Sequence, residues 1–262
     1  MIIDGRTMAS EVLARTKARS ITLGKTPRIL AIVANETPAT KSYLAIKAKR
    51  AADAGCAFET GALGASFTRA DAVIIQLPLP SGVDQREVCD SIPLEKDADV
   101  LSDAARQKFA RGDTDACVPP VVGAVQKILE FGKIEIEGKK AVVIGRGFLV
   151  GAPAAMWLAQ QGASVTVVNR STQDFIETLR DADIIISGAG TPHLISPDMI
   201  KKGVVLIDAG TSESNGEIVG DADPACAAKC SLFTPVPGGI GPLAVACLFE
   251  NAMTLVERAI HT

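Results

Sequence analysis

Residues 140–151 read KAVVIGRGFLVG, and this stretch decides the fold. The β-branched run before Gly145 predicts a buried strand, the glycines predict a tight turn, and residues 154–160 favour a helix. Strand, glycine-rich turn and helix in this order are typical of the first βα unit of a dinucleotide-binding domain. The spacing GxGxxxG is one residue longer than the common fingerprint, so an ordinary strand–turn–helix corner is the alternative.

Each glycine of this turn has its own predicted role. Gly145 allows the chain to turn sharply, and Gly147 allows backbone N–H groups to approach a pyrophosphate. Gly151 removes a side chain where the helix packs on the strand. The N-terminus of the helix then offers unpaired N–H groups to the phosphates.

The residues that follow the second predicted strand indicate which dinucleotide is bound. Residues 163–168 read ASVTVV, a strand that closes a unit of about 30 residues, and Asn169, Arg170, Ser171 and Thr172 follow. A site for NAD usually has an acidic residue here, whereas an arginine pairs with a 2′-phosphate. We therefore predict NADP, with a solvated loop arginine as the alternative.

Composition narrows the class of protein. The chain has 262 residues, 47% of them hydrophobic and 22% charged, with a net charge of −3. This composition is typical of a globular protein, and the negative net charge argues against a nucleic-acid-binding surface. No stretch is expected to match the ~20 apolar residues of a membrane span, and the first residues lack the layout of a signal peptide. We expect a cytoplasmic protein.

Cysteine and histidine usage limits the chemistry. Six cysteines are scattered along the chain, and no pair of them is completed to a metal site, so we expect no metal. His193 and His261 are the only histidines. Any catalytic base is therefore expected to be a lysine or a carboxylate.

A second group of polar residues lies in the N-terminal part. A helix predicted over residues 39–54 carries Tyr43 and Lys47, whose i, i+4 spacing puts both on one face. A strand predicted over residues 72–75 ends in Gln76, Leu77 and Pro78. Because ligands gather at the carboxyl edge of open α/β sheets, these residues are candidates for a site. A surface contact beside a solvated lysine is the alternative.

The C-terminal half contains two further predicted strands, each ending in small residues. Residues 183–190 end near Gly188, residues 204–210 end at Gly210, and the absence of side chains there lets a flat ligand approach the backbone. Residues 233–242 read FTPVPGGIGP, whose prolines and glycines predict a constrained loop that a ligand can approach. A helix predicted over residues 243–259 ends the chain.

Taken together, these motifs resemble the bifunctional methylenetetrahydrofolate dehydrogenase/methenyltetrahydrofolate cyclohydrolase family. The matching segments are YxxxK at 43–47, QLPLP at 76–80, KDxD at 96–99, GR with VGxP at 145–153, and TPVPGGIGP at 234–242 with Glu250 and Asn251. The resemblance implies an α/β protein of two lobes around a cleft. A folate-binding catalytic lobe of residues 1–118, completed by residues 243–262, would accompany a Rossmann-type NADP lobe of residues 119–242. The family is typically a homodimer formed through its cofactor lobes.

The resemblance also implies roles for individual residues. Lys47 would be the catalytic lysine, Tyr43 would stack on the folate, Gln76 would orient the lysine and Asp99 would bond the pterin ring. The expected cofactor residues are Gly145, Arg146, Gly147, Val150, Gly151, Asn169, Arg170, Ser171, Gly188, Gly210 and Thr211. The expected substrate residues are Tyr43, Gln76, Leu77, Pro78, Asp99, Pro237, Gly238, Gly239 and Pro242.

Four departures from the family pattern leave other functions open. The segment between Gly55 and Ala72 is shorter than usual by roughly a helix and its connection, and residues 117–120 read CVPP where the family has a proline–cysteine–threonine–proline element. Gly147 replaces a serine, and Val100 replaces a glycine. None removes a proposed catalytic residue, so both activities, oxidation to the methenyl form and hydrolysis to the formyl form, are expected. The alternatives are a dehydrogenase without cyclohydrolase activity, or a silent protein that only binds NADP or folate.

Overall fold

A computed structural model of the protein describes residues 1–35, 37–214 and 216–261, without the side chains of residues 38, 39 and 261. The chain forms two compact units, one of residues 9–120 and 245–262, the other of residues 1–8 and 121–244. The first eight residues thus belong with the central segment, whereas the sequence prediction places them in the N-terminal lobe. The reason is a pair of backbone hydrogen bonds, from Ile3 N to Phe233 O and from Phe233 N to Met1 O, each 2.9 Å long.

The unit of residues 9–120 and 245–262 is built on a small parallel sheet. Helix α1 (Gly5–Leu23) precedes strand β1 (Arg28–Val33), which helix α2 (Pro38–Asp53) connects to strand β2 (Ala57–Gly61). Strand β3 (Ala72–Gln76), helix α3 (Gln85–Asp90) and helix α4 (Asp103–Ala110) follow. The strand order is β2-β1-β3, and all pairings are parallel. The strand predicted at 72–75 and the helix predicted at 39–54 are confirmed.

Strand β2 was missed by the sequence analysis. Its residues Glu59 and Thr60 are exposed at the edge of the sheet, so it lacks the buried apolar run by which the other strands were recognised. The connection from β2 to β3, residues 62–71, contains no helix. A crossover without a helix is consistent with the expected shortening, which stays a prediction.

The unit of residues 1–8 and 121–244 has the Rossmann-type arrangement. Helix α5 (Pro120–Phe131), strand β4 (Lys140–Ile144), helix α6 (Gly151–Gln160), strand β5 (Ser164–Val168), helix α7 (Phe175–Asp181), strand β6 (Ile184–Ser187) and strand β7 (Val205–Asp208) follow one another. A hairpin of β8 (Ser212–Ser214) and β9 (Glu217–Val219) precedes strand β10 (Leu232–Phe233). The parallel sheet has the order β10-β7-β6-β4-β5. Its central strands are buried along their length, as expected when helices cover both faces.

Helix α8 (Ile240–His261) ends the described chain. It contradicts the expectation that no stretch matches a membrane span in length and apolar composition. Its residues 240–260 have a mean hydropathy of 1.3 and are long and apolar enough to cross a membrane by length and composition. Leu243, Phe249 and Met253 of this helix are fully buried within the protein. A core helix of a folded protein passes the same test, so its length and composition are weak grounds for a membrane span.

Candidate active site

The order of the small sheet explains why Lys47 and Gln76 meet. The chain leaves β1 towards β2 on one side, whereas β3 lies on the other, so the strand order reverses at the carboxyl end of β1. Open α/β sheets form their ligand crevices at such points. Gln76 ends β3 opposite Val33 of β1, and Lys47 lies on α2, the helix that follows β1.

A hydrogen bond joins the two side chains. Lys47 Nζ donates to Gln76 Oε1 at 2.9 Å, and Gln76 Nε2 donates to the carbonyl oxygen of Leu77 at 2.9 Å. The second bond fixes which way the amide points, so that its oxygen faces the lysine. The peptide bond between Leu77 and Pro78 is cis.

Burial and charge tune the titration of this group. Burial of the ammonium lowers the pKa of Lys47, and the charge of Asp99 opposes that effect. Burial of the carboxyl raises the pKa of Asp99 to about 6, with Lys47 acting to lower it and Asp97 to raise it. Both groups are therefore shifted towards neutral pH, where proton transfer is most effective.

Tyr43 lies one helical turn before Lys47 and is 42% exposed. A half-exposed ring beside a polar cluster offers a flat face to an aromatic ligand. The structure therefore brings Lys47 and Gln76 into contact, couples Asp99 to the lysine by charge, and leaves Tyr43 accessible. Leu77 is half-buried and Pro78 is exposed.

Sequence reasoning quoted Asp97 and Asn251 but gave them no role. Both bind the loop that carries Asp99, Asp97 through backbone N–H groups and Asn251 through a backbone carbonyl. The available signal was their place in the matching segments, KDxD at 96–99 and Glu250 with Asn251. The hydrogen-bond geometry makes their contribution visible.

The glycine turn of the other unit forms a cradle at the carboxyl end of β4. Gly145 has φ 93°, and a Cβ there would lie 2.9 Å from the carbonyl oxygen of Gly188. A Cβ on Gly151 would collide with the carbonyl oxygen of Gly145, so α6 can begin here only with a glycine. Val150 packs against Gly188, where a side chain would clash with it.

Gly147 differs from its neighbours in this turn. The nearest atom to a Cβ built on it is the carbonyl oxygen of Gly188, 4.0 Å away. Packing within the protein therefore does not require glycine at 147, and the open space beside it suits a phosphate group. With the N-terminus of α6 next to it, this cradle fits the pyrophosphate of a dinucleotide. Arg146 is exposed at its rim.

The loop after β5 is ordered by its own side chains. Asn169 Oδ1 accepts hydrogen bonds from Ser171 N at 2.8 Å and Ser171 Oγ at 2.6 Å, and Asn169 N donates to Thr172 Oγ1 at 2.9 Å. Arg170 is exposed at the tip of this turn. A rigid turn with an accessible guanidinium at the end of the second strand is the arrangement that suits a 2′-phosphate.

Two buried carboxylates, neither identified from sequence, support the ends of β6 and β7. Asp221 accepts hydrogen bonds from Ser187 Oγ at 2.6 Å and from the N–H groups of Ala189 and Thr191, each at 2.7 Å. A side chain on Gly210 would collide with this carboxylate. Asp221 thus holds the loop after Gly188 in place.

Asp208 supports the next loop in the same way. It accepts hydrogen bonds from Gly210 N at 2.9 Å and Ala222 N at 2.8 Å. Burial and the neighbouring charge of Asp221 together raise the pKa of Asp208 to about 6, against the hydrogen bonds from Ala222 and Gly210, which lower it. Thr211 follows this loop and is exposed.

The loop of residues 233–242 belongs to the same unit as the glycine cradle. The peptide bond between Val236 and Pro237 is cis, and Gly238 has φ 108°. Gly239 N donates to the carbonyl oxygen of Pro235 at 2.7 Å, and a Cβ on Gly239 would approach that oxygen to 2.5 Å. Pro242 lies in the first turn of α8. The predicted constrained loop is confirmed, and its proposed substrate contacts stay a prediction.

Two family profiles match successive parts of the chain. Residues 3–99 match the catalytic domain of tetrahydrofolate dehydrogenase/cyclohydrolase, and residues 117–260 match its NAD(P)-binding domain. The bifunctional protein FolD of Lactobacillus gasseri is 33% identical over 276 aligned residues, with 98% of each chain covered.

Solved structures agree with this match. The bifunctional enzyme FolD of Campylobacter jejuni superimposes with a TM-score of 0.93 at 30% identity, covering 98% of this chain and 99% of that one. The methylenetetrahydrofolate dehydrogenase-cyclohydrolase of Trypanosoma brucei, solved with NADP and an inhibitor, also gives a TM-score of 0.93 at 30% identity, with coverages of 100% and 99%.

Proposed function

Since this chain belongs to the tetrahydrofolate dehydrogenase/cyclohydrolase family, we propose that it oxidises methylenetetrahydrofolate and hydrolyses the methenyl product to formyltetrahydrofolate. The observation that carries the proposal is the Lys47–Gln76 hydrogen bond at the carboxyl edge of the small sheet, with Asp99 coupled to the lysine. The protein retains the groups for both steps, although its crossover from β2 to β3 contains no helix.

The oxidation step needs positioning more than acid–base help. The nitrogen beside the methylene carbon supplies electron density as hydride departs, so the residues have only to hold the carbon in place. Bound NADP would supply the hydride acceptor at this step. Tyr43 is proposed to stack on the folate ring, and Asp99 to bond the pterin. The cradle of Gly145, Gly147 and Gly151 is proposed to hold the dinucleotide.

The hydrolysis step needs proton transfers. Water adds to the methenyl carbon and loses a proton, and one carbon–nitrogen bond then breaks as its nitrogen takes up a proton. A neutral Lys47 amine can accept the first proton and return it to the departing nitrogen. Burial lowers the lysine pKa, and a cationic substrate would lower it further, so the neutral amine becomes available. Gln76 Oε1 is proposed to hold the amine in the required orientation.

The first experiment is an absorbance assay with purified protein, methylenetetrahydrofolate and either NADP or NAD. Reduced cofactor and methenyl compound are followed separately. Turnover with NADP and little methenyl accumulation is the expected result. Persistent methenyl would leave only a dehydrogenase. Folded protein without turnover on either cofactor would contradict the proposed function and favour a silent binder.

Two variants test the assignments within the same assay. Lys47→Met should let methenyl accumulate, whereas Lys49→Met, which changes an exposed lysine of the same helix, should behave like the unchanged protein. Arg170→Ala should raise KM for NADP and leave KM for NAD unchanged. An equal effect on both cofactors would contradict a 2′-phosphate contact.

We further propose a cytoplasmic homodimer with neither nucleic acid nor a membrane as partner. None of the six cysteines, all of which lie among the described residues, forms a disulfide, which suits a reducing compartment. The net charge of −3 argues against nucleic acid as a partner, and the buried side chains of α8 argue against a membrane. Ile218, in the β8–β9 hairpin, is 48% exposed and offers an apolar contact for a second copy. Light scattering should give twice the chain mass, and Ile218→Glu should reduce it.

A further inference from the structure

The loop that follows Asp99 is held in a conformation that its sequence disfavours. Val100 has φ 57° and is 2% exposed. The left-handed region brings Cβ against the neighbouring carbonyl oxygen, and a β-branched side chain suffers more than others there. Such a conformation persists only when surrounding contacts determine it.

One set of these contacts comes from Asp97, which is 1% exposed. Its carboxylate accepts hydrogen bonds from Leu101 N at 3.0 Å, Ser102 N at 2.8 Å and Ser102 Oγ at 2.7 Å. These bonds fix the chain immediately after Val100. Asp97 therefore ties both ends of a short loop to each other.

A second contact comes from Asn251 on α8. Its Nδ2 donates to the carbonyl oxygen of Ala98 at 2.9 Å and to that of Val118 at 2.8 Å. Both amide protons are thus used, one of them on the residue directly before Asp99. Asn251 holds the loop on one side of Asp99, and Asp97 holds it on the other.

We propose that Asn251 and Asp97 are positioning residues that fix the direction of the Asp99 side chain by holding Val100 left-handed. This inference rests on the proposed function, since Asp99 is the group said to bond the pterin. Without the two residues, Val100 would relax to a negative φ. Because Asp99 and Val100 share a peptide bond, that rotation would redirect the carboxylate away from the substrate.

The test compares Asn251→Ala with Thr254→Ala. Thr254 lies one turn further along α8 and bonds Arg19, so its removal costs the helix polar contacts without touching the loop. Asn251→Ala should raise KM for the folate about tenfold, the size expected when a substrate contact is misplaced, with KM for NADP unchanged. Adding Val100→Gly should restore most of the loss, because glycine adopts the left-handed region without strain.

Amide hydrogen exchange tests, independently of activity, whether Asn251 and Asp97 hold the loop that contains Val100. We call this pair of residues the brace. In Asn251→Ala, the amides of Leu101 and Ser102 should exchange faster, whereas Thr254→Ala should leave them unchanged. If Asn251→Ala does not fold, Asn251→Ser replaces it, since a shorter polar side chain also loses both bonds.

The outcomes distinguish a failure of the positioning role of Asn251 and Asp97 from a failure of the proposed function. Equal KM values and equal exchange rates for the Asn251 and Thr254 variants would overturn the inference, as would a loss that Val100→Gly fails to restore. An inactive unchanged protein would refute the proposed function, and the brace would then be judged by the exchange rates and by the effect of Val100→Gly on them.

Discussion

The left-handed conformation of Val100 removes the stability advantage that alanine usually has over glycine. Val100→Ala removes two buried methyl groups and keeps a Cβ at φ 57°, so the backbone strain remains. Val100→Gly removes the strain as well. Glycine should therefore be as good a replacement as alanine here, although it is the worse one at most ordered positions.

The magnitude follows from one term that favours glycine and two that favour alanine. A Cβ in the left-handed region costs about 1–2 kcal/mol. The greater freedom that glycine loses on folding costs about 0.5–1 kcal/mol relative to alanine, and the buried methyl group that only alanine keeps contributes about 0.8 kcal/mol. These terms nearly cancel, so the free energies of unfolding of Val100→Gly and Val100→Ala should agree within about 0.5 kcal/mol.

Native-state hydrogen exchange of the buried β1 amide of Ile32 measures this difference, because the slowest amides exchange through unfolding of the whole unit. Ala14, exposed in the middle of α1, is the reference position, and Ala14→Gly should cost about 1 kcal/mol. If alanine at 100 proved more stable than glycine by a similar amount, the strain argument and the brace built on it would both be wrong.

The other predictions concern titration and the cofactor cradle. Dehydrogenase activity, which needs no proton transfer by Lys47, should fall as pH drops through about 6 because Asp99 becomes protonated, and Asp99→Asn should remove this limb of the pH–rate profile. Gly151→Ala should weaken NADP binding at least tenfold and lower the free energy of unfolding by its clash with the Gly145 carbonyl, whereas Gly147→Ala, whose Cβ enters the open space proposed for the phosphate, should weaken NADP binding without lowering the free energy of unfolding. Asp208 has a pKa of about 6 in the folded protein against 3.8 for the unperturbed group, so the folded state takes up the proton first as pH falls. Its contribution to the free energy of unfolding should therefore increase by about 1 kcal/mol between pH 7.5 and 5, measured by the fluorescence of the single tryptophan and absent in Asp208→Asn.

Sequence patterns were sufficient where a local rule applied. The buried β-branched run before Gly145 and the glycines after it predicted the β4–turn–α6 unit, because only a tight turn at a strand end needs that combination. The i, i+4 spacing of Tyr43 and Lys47 predicted a shared helical face. Strand β2 escaped notice because an edge strand with exposed Glu59 and Thr60 carries no continuous apolar run.

By itself, the sequence determined the class of fold, the family motifs and the residue types available for chemistry. Tertiary structure alone decided how Gln76 holds Lys47, why the lysine and Asp99 titrate away from their ordinary values, and how Asp97 and Asn251 grip the loop between them. The physical reason is the distance along the chain over which each effect acts. Propensity and periodicity act over a few residues, whereas Asn251 reaches Ala98 across 153 positions of the chain, and burial is a property of everything packed around a group.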